Sequence, residues 1–102
     1  MRIVKEHFLR EAARRHPVAA RWLRDWTALT KRAKWRNWGE VNRDYPGTDA
    51  VRTSSGRTVG IFNVRRNEFR LIVAVHFNRQ IAFTLRFLSH AEYGRSRWKD
   101  EL

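Results

Sequence analysis

The chain contains no cysteine. Disulfides and thiolate metal sites are therefore excluded. Acidic residues are scarce: 10 Asp and Glu stand against 22 Lys and Arg, for a formal net charge of +12. So large an excess calls for an anionic partner, whether nucleic acid, acidic protein or anionic membrane. No apolar run approaches the length of a membrane span, which argues against insertion. The opening Met1-Arg2-Ile3-Val4-Lys5-Glu6 lacks the apolar centre of a secretion signal. The 4 histidines are scattered and form no metal-ligand motif. The expectation is a soluble cytoplasmic protein with no metal and no cofactor. What is present is enough to fold. Hydrophobic residues make up 42% and aromatics 13%, too many for a disordered polyelectrolyte. A length of 102 residues suits one domain spanning 1–102.

Arg2-Ile3-Val4 reads as a short strand. Glu6 to His16 reads as a helix with Phe8, Leu9, Ala12 and Ala13 on one stripe. Pro17 disfavours helical geometry at His16 and suits the first turn of a second helix. From Val18 to about Ala33 the apolar spacing is three and four residues: Val18, Ala19, Trp22, Leu23, Trp26, Leu29, Ala33. Arg21, Arg24, Lys31 and Arg32 take the opposite side, and an αα-hairpin results. Trp35 to Gly56 is irregular, with turn signals at Asp44-Tyr45-Pro46-Gly47 and Thr53-Ser54-Ser55-Gly56 and one short helix near Trp38 to Arg43. Three strands follow: Thr58 to Val64, Phe69 to Phe77 and Ile81 to Ser89. The order β-α-α-β-β-β predicts an α+β domain, an antiparallel sheet with the helical hairpin on one face.

Register sharpens this picture, because opposed residues on neighbouring strands share a face. A three-residue loop, Asn78-Arg79-Gln80, sets Phe77 opposite Ile81, Val75 opposite Phe83 and Val73 opposite Leu85. A two-residue loop would set Val73 opposite Thr84 and Leu71 opposite Arg86, which spoils the core. A three-residue loop at Arg65-Arg66-Asn67 sets Ile61 opposite Leu71, Val59 opposite Val73 and Phe62 opposite Arg70. The second face then displays Phe62, Arg70, Ile72, His76, Arg86, Leu88 and His90. Glu68 opposes His90, and Arg70 is its diagonal neighbour.

Ser89-His90-Ala91-Glu92-Tyr93 closes the last strand. A proton-transfer residue, a carboxylate and a phenol fall within four positions, surrounded by positive charge. A small enzyme acting on a phosphate backbone needs both. Arginines beside an exposed ring also suit single-stranded RNA, guanidinium on phosphate and ring on base. Plainer readings exist for each residue. Arg86 alone fits a half-solvated sheet face. Glu92 can simply pair with an arginine, and Tyr93 can close the edge of the core. His7 and His16 look like surface or packing residues, and His76 lies toward the far end of its strand. Trp22, Trp26, Trp35 and Trp38 read as core or hinge packing; Trp98 has no assignment. For Arg70 beside His90 a functional reading leads, because two close cations repel unless an anion joins them.

These residues resemble a known family. The chain is similar, almost end to end, to HigB-type toxins, a branch of the RelE/ParE superfamily of type II toxin–antitoxin systems. The resemblance is carried by Arg2-Ile3-Val4, His16-Pro17, Leu23 with Trp26, Ala33-Lys34-Trp35, Tyr45-Pro46 and Asp49. It is carried more strongly by Phe62-Asn63-Val64, Asn67-Glu68-Phe69-Arg70-Leu71 and His90-Ala91-Glu92-Tyr93. It implies a RelE-like fold and a toxin that is a metal-free endoribonuclease cleaving mRNA, generally in the ribosomal A site. The ribose 2′-hydroxyl would attack the adjacent phosphate. Arg70 would clamp that phosphate, His90 would act as general acid or base, and Tyr93 would orient the base or donate a proton. On the reading of the sheet face and the basic turn, Phe62, Arg65, Arg66 and Arg86 would contact RNA, with Glu68, Glu92 and His76 in support. A HigA-type helix-turn-helix antitoxin would neutralise the toxin, and operator DNA would be reached only through that partner.

The chain departs from the family pattern in places. Ser89 and Gly94 replace the ends of a motif that usually reads Thr-His-x-Glu-Tyr-Asp, and Gly94 removes an acid. Arg65-Arg66 stands where a turn often carries glycine. Two other readings compete: a ParE-like gyrase inhibitor, which would not use a histidine for chemistry, and a non-catalytic RNA- or ribosome-binding module.

Overall fold

A computed structural model describes residues 1–95 and 97–102. Five strands form one sheet in the order β1-β5-β4-β3-β2. They are β1 (Arg2–Val4), β2 (Asp49–Arg52), β3 (Thr58–Val64), β4 (Phe69–His76) and β5 (Ile81–Ser89). The helices are α1 (Glu6–Arg15), α2 (Ala20–Arg32), α3 (Trp38–Asp44), α4 (His90–Gly94) and α5 (Arg97–Glu101). Among the described residues no helix is long and apolar enough to cross a membrane.

The sheet is mixed, which corrects the expectation of a wholly antiparallel one. β1 runs parallel to β5, with Arg2 opposite Ile81 and Val4 opposite Phe83. No tight turn joins these two strands, so nothing forces them antiparallel. The first residue locks this edge. The Met1 ammonium donates to the carbonyl oxygens of Thr30 (3.0 Å), Lys31 (3.1 Å) and Ala33 (2.6 Å). A cation on the open carbonyls that end α2 is favoured by the helix dipole. β2, α4 and α5 are absent from the sequence-based order. β2 carries Asp49-Ala50-Val51-Arg52, mostly exposed, with no alternation to betray it. Only its pairing with Thr58–Ile61 of β3 makes it a strand.

The helical side follows its pattern. Pro17 opens a short 3-10 turn between α1 and α2. Leu9 and Ala12 of α1 and Leu23 and Trp26 of α2 are buried against Trp35, Phe62, Leu71 and Val73. Trp26 meets Phe62 edge to face at 5.4 Å, and Tyr45 meets it at 5.6 Å. Burial pushes the Tyr45 phenol up to about 12, with Asp25 and Asp44 adding to the shift.

The β3–β4 register differs from the expected one by a single residue. Four residues, not three, separate Val64 from Phe69, and these two pair. Phe62 therefore lies opposite Leu71 and Ile61 opposite Ile72. A one-residue slip exchanges the faces. Phe62 enters the helix-side core, 1% exposed, instead of standing free beside Arg70. Burying a phenylalanine stabilises by about 1.5–3 kcal/mol, which an exposed ring would forgo. Val59, Ile61, Ile72 and Ala74 instead build a second core on the far face, capped by Trp98.

The β4–β5 pair contains both registers. Near the turn Val73 lies opposite Thr84 and His76 opposite Ile81. A bulge at Leu85 then shifts the ladder, so that Ile72 faces Arg86 and Phe69 faces Ser89. Phe77 leaves the strand for a 3-10 turn, and Gln80 closes the loop with φ 55°. Phe83 and Leu85 consequently join the second core, while Phe87 stays with the first. The pairing expected to spoil the core is tolerated because Thr84 is satisfied. Its hydroxyl donates to the carbonyls of Lys5 (3.0 Å) and Val4 (3.3 Å). A buried hydroxyl with a partner avoids most of the desolvation cost.

Gly60 is the tightest point of this packing. A Cβ there would stand 2.4 Å from Trp38 Cζ3 and 2.7 Å from Trp38 Cη2. Gly60→Ala is expected to destabilise the domain by about 1–3 kcal/mol, as overpacking does. Urea unfolding measures it; a change below 0.5 kcal/mol (order of magnitude of a neutral surface change) would mean that Trp38 moves freely.

Candidate active site

The β3–β4 turn, the bulged half of β5 and α4 meet at one end of the sheet. Arg70 points to the second face. Its guanidinium carbon lies 4.9 Å from the centre of the Tyr93 ring. Its Nη1 donates to the Asn67 carbonyl at 2.8 Å. Tyr93, on α4, stacks on Trp98 of α5 with ring centres 5.5 Å apart and planes 15° apart. Arg86 faces Ile72, which makes it the diagonal neighbour of Arg70, within reach of long side chains. The Arg86 Nη1 donates to the Leu85 carbonyl at 2.8 Å, and its Nη2 lies 3.5 Å from the Glu101 carboxylate.

His90 is the exposed first residue of α4. Its backbone N–H donates to the Glu68 carbonyl at 2.9 Å, so the two stand opposite as expected. The Glu68 carboxylate turns to Arg65 at 3.7 Å, an exposed pair. Such pairs contribute at most about 1 kcal/mol. Arg65 Nη1 also donates to the Val18 carbonyl at 3.2 Å, tying the turn to the 3-10 turn that precedes α2. Arg66 is exposed in the same turn.

Two candidates fall outside this cluster. Phe62 is in the core, so a role in base stacking is corrected to packing. His76 lies six residues along β4 from Arg70, about 20 Å away, with its ring on Phe83 at 5.1 Å. Among the described residues, no group of three or more His, Asp or Glu side chains could hold a metal ion. The cluster offers cations for an anion, an imidazole and a phenol, which suits charge stabilisation with proton transfer.

The family model HigB_toxin, the RelE-like toxic component of a toxin–antitoxin system, matches residues 19–96. This chain belongs to the HigB toxin family. Comparison with curated proteins gave no match. Membership of a toxin–antitoxin system implies an antitoxin partner.

The residues at which this toxin departs from the family pattern lie at the two ends of α4 and in the β3–β4 turn. Ser89 accepts a hydrogen bond from the Glu92 N–H at 3.2 Å, and the Glu92 carboxylate accepts from the Ser89 N–H at 2.9 Å. This reciprocal cap starts α4 at His90. Glu92 is thus engaged in holding the backbone. The Ser89 N–H holds its carboxyl below the usual carboxylate range; the Ser89 hydroxyl and the charges of Arg95 and His16 add to this. A Cβ at Gly94 would meet nothing within 4 Å. Arg65, Arg66 and Asn67 have φ of 51°, 53° and 72°, the left-handed region that glycine favours. Sequence reasoning assigned nothing to Trp98 or Glu101, whose contacts depend on α5 folding back. A lone tryptophan in a charged tail is the only signal either gives.

Two outcomes follow for the toxin. A left-handed non-glycine residue costs roughly 1–2 kcal/mol and glycine returns part of that as chain entropy, so Arg66→Gly should stabilise by about 0.5–1 kcal/mol. A fall in thermal midpoint would show that Arg66 makes a contact worth more than the strain. For Glu92 the folded pKa is depressed, so its contribution is present above the unfolded value and lost as pH falls through the folded one. Hydrogen exchange at the Ser89 amide should therefore quicken, relative to its intrinsic rate, as pH drops below the ordinary carboxylate range. Glu92→Gln should remove that dependence, and its persistence would place the titration elsewhere.

Proposed function

We propose that this toxin is an endoribonuclease that cuts messenger RNA on the ribosome, in the cytoplasm, and is neutralised by a HigA-type helix-turn-helix antitoxin. Operator DNA would be bound through that antitoxin. The observation that carries this reading is the Arg70–Tyr93 contact beside His90, at the one end of the sheet where Arg65, Arg66 and Arg86 also gather. The proposed reaction is metal-free and runs on side chains. The ribose 2′-oxygen bonds to the adjacent phosphorus and the bond to the 5′-oxygen breaks. A base takes the proton of the 2′-hydroxyl and an acid supplies one to the leaving oxygen, leaving a cyclic phosphate and a 5′-hydroxyl. His90 takes one of these proton transfers, the role that histidine fills most often in such reactions. Arg70 holds the phosphate and offsets its developing charge, with Arg86 beside it. Tyr93 orients Arg70 through its ring and presents its phenol to the same space. Arg65 and Arg66 extend the cationic track for flanking phosphates.

A second reading rests on one observation. The Arg70 guanidinium already meets the Tyr93 ring and the Asn67 carbonyl, which a purely structural staple would also do. On that reading the protein binds RNA or ribosomes without cutting.

Inducible expression followed by mapping of mRNA 5′ ends separates the two. His90→Gln should fold, keep salt-sensitive association with ribosomes and lose about 10²–10⁴ in cleavage rate. Arg70→Ala should abolish cleavage while costing about 0.5–1 kcal/mol of stability, the scale of an exposed cation–π contact. Arg70→Lys should rescue only part, because an ammonium cannot grip a phosphate bidentately. Toxicity that survives both changes, with no new 5′ ends, favours the binding module.

A further inference from the structure

We infer that Trp98 is a positioning residue for the proposed cleavage reaction: it fixes the Tyr93 ring, and through that ring the Arg70 guanidinium. The inference rests on the ribonuclease reading above. Tyr93 sits on a helix of only five residues, α4, which packs few apolar side chains of its own. Something else must hold its ring. Trp98 is 2% exposed and lies on the second core, over Val59, Ile61, Ile72 and Ala74. Its indole stacks on the Tyr93 ring at 5.5 Å and 15°, an offset arrangement that aromatic pairs favour. Its Nε1–H also donates to the Tyr93 carbonyl at 3.4 Å. One residue therefore fixes both the ring and the backbone of Tyr93.

Trp98 is itself anchored from two sides. The sheet lies beneath it, and the turn between β2 and β3 grips α5 above. The Ser54 N–H donates to the Lys99 carbonyl at 3.2 Å, and the Ser54 hydroxyl donates to Asp100 at 3.3 Å. The Ser55 hydroxyl donates to the Leu102 carbonyl. A chain of contacts thus runs from a rigid sheet through Trp98 and Tyr93 to Arg70, whose Cζ is 4.9 Å from the ring. A phosphate clamp must be held within fractions of an ångström of its productive place, so a support of this kind bears on rate more than on affinity. RNA would still reach Arg65, Arg66 and Arg86 without it.

The test compares cleavage of a ribosome-bound message by wild type, Trp98→Phe and Trp98→Leu, well below each thermal midpoint. Leu keeps an apolar side chain and loses the flat ring; Phe keeps a ring and loses the N–H. Trp98→Leu is expected to lower kcat about 10- to 100-fold with KM within about threefold, on the scale that small misplacements cost. Trp98→Phe should recover most of that loss, although it too leaves the site underfilled. In a Tyr93→Leu background, Trp98→Leu should add nothing, because it acts only through the ring. Trp98→Met, whose flexible thioether adapts to an irregular space without offering a flat face, replaces Trp98→Leu if that variant does not fold. Wild-type kcat in the folded Leu or Met variant overturns the inference. So does a loss that Phe fails to recover, or one that persists in full without Tyr93. A wild type that cuts no message overturns the ribonuclease reading, and the role of Trp98 falls with it.

Discussion

The turn of Arg65, Arg66, Asn67 and Glu68 decides which side chains the sheet shows on each face. Three successive residues in the left-handed region close a four-residue loop and pair Val64 with Phe69. A loop shorter by one residue would turn Phe62 out of the helix-side core and pull Ile61 into it. The whole of β3 would exchange its faces. With the observed loop, Phe62 completes a cluster with Trp26 and Tyr45, and Ile61 supports Trp98. The same turn sets Glu68 against the His90 N–H and gives Arg70 the Asn67 carbonyl as a partner. Packing and candidate chemistry thus hang on one local conformation that arginine adopts at a cost.

The bulge at Leu85 is the second such device. Without it, the register set beside the β4–β5 turn would carry through and place Leu71 opposite Arg86, a charge in the helix-side core. By absorbing one residue, β5 changes step between Thr84 and Arg86. Thr84 stays inside, bonded to the backbone that leaves β1, and Arg86 faces outward next to Arg70. Bulges commonly re-aim a side chain beside a working site.

Much of the architecture was legible. Three- and four-residue apolar spacing located α1 and α2, Pro17 marked the break between them, and alternation located β3, β4 and β5. The second face of β4 was read correctly at Arg70, Ile72 and His76, because alternation alone fixes it. Phe62 was misread because its face depends on loop length, and Arg65-Arg66-Asn67 lacks the glycine that would have signalled a left-handed turn. Thr84 was misread because its partners, the carbonyls of Val4 and Lys5, lie about eighty positions away in sequence. β2, α4 and α5 carry weak patterns of their own and exist through what they pack on. At the candidate site, the contact of Arg70 with the Tyr93 ring was not read from the sequence, because it depends on how α4 turns back over β4. Trp98 stayed invisible, because a stacking partner supplied by a folded-back tail leaves no spacing to read.

The cover formed by α5 raises the question of whether the second face remains open to an anion. Its apolar contact is centred on Trp98, over Ile61, Ile72 and Ala74, so it cannot be shed without exposing a core. Its polar contact with the cationic residues is slight. Glu101 meets Arg86 at 3.5 Å with both side chains substantially exposed. Pairs of that kind are worth at most about 1 kcal/mol and are screened by salt. On the proposed reading a phosphate competes with the Glu101 carboxylate at Arg86, and among the described residues no carboxylate lies within ion-pair distance of Arg70. The tail can therefore stay docked, holding Tyr93 in place, while the arginines exchange a weak internal partner for a stronger external one.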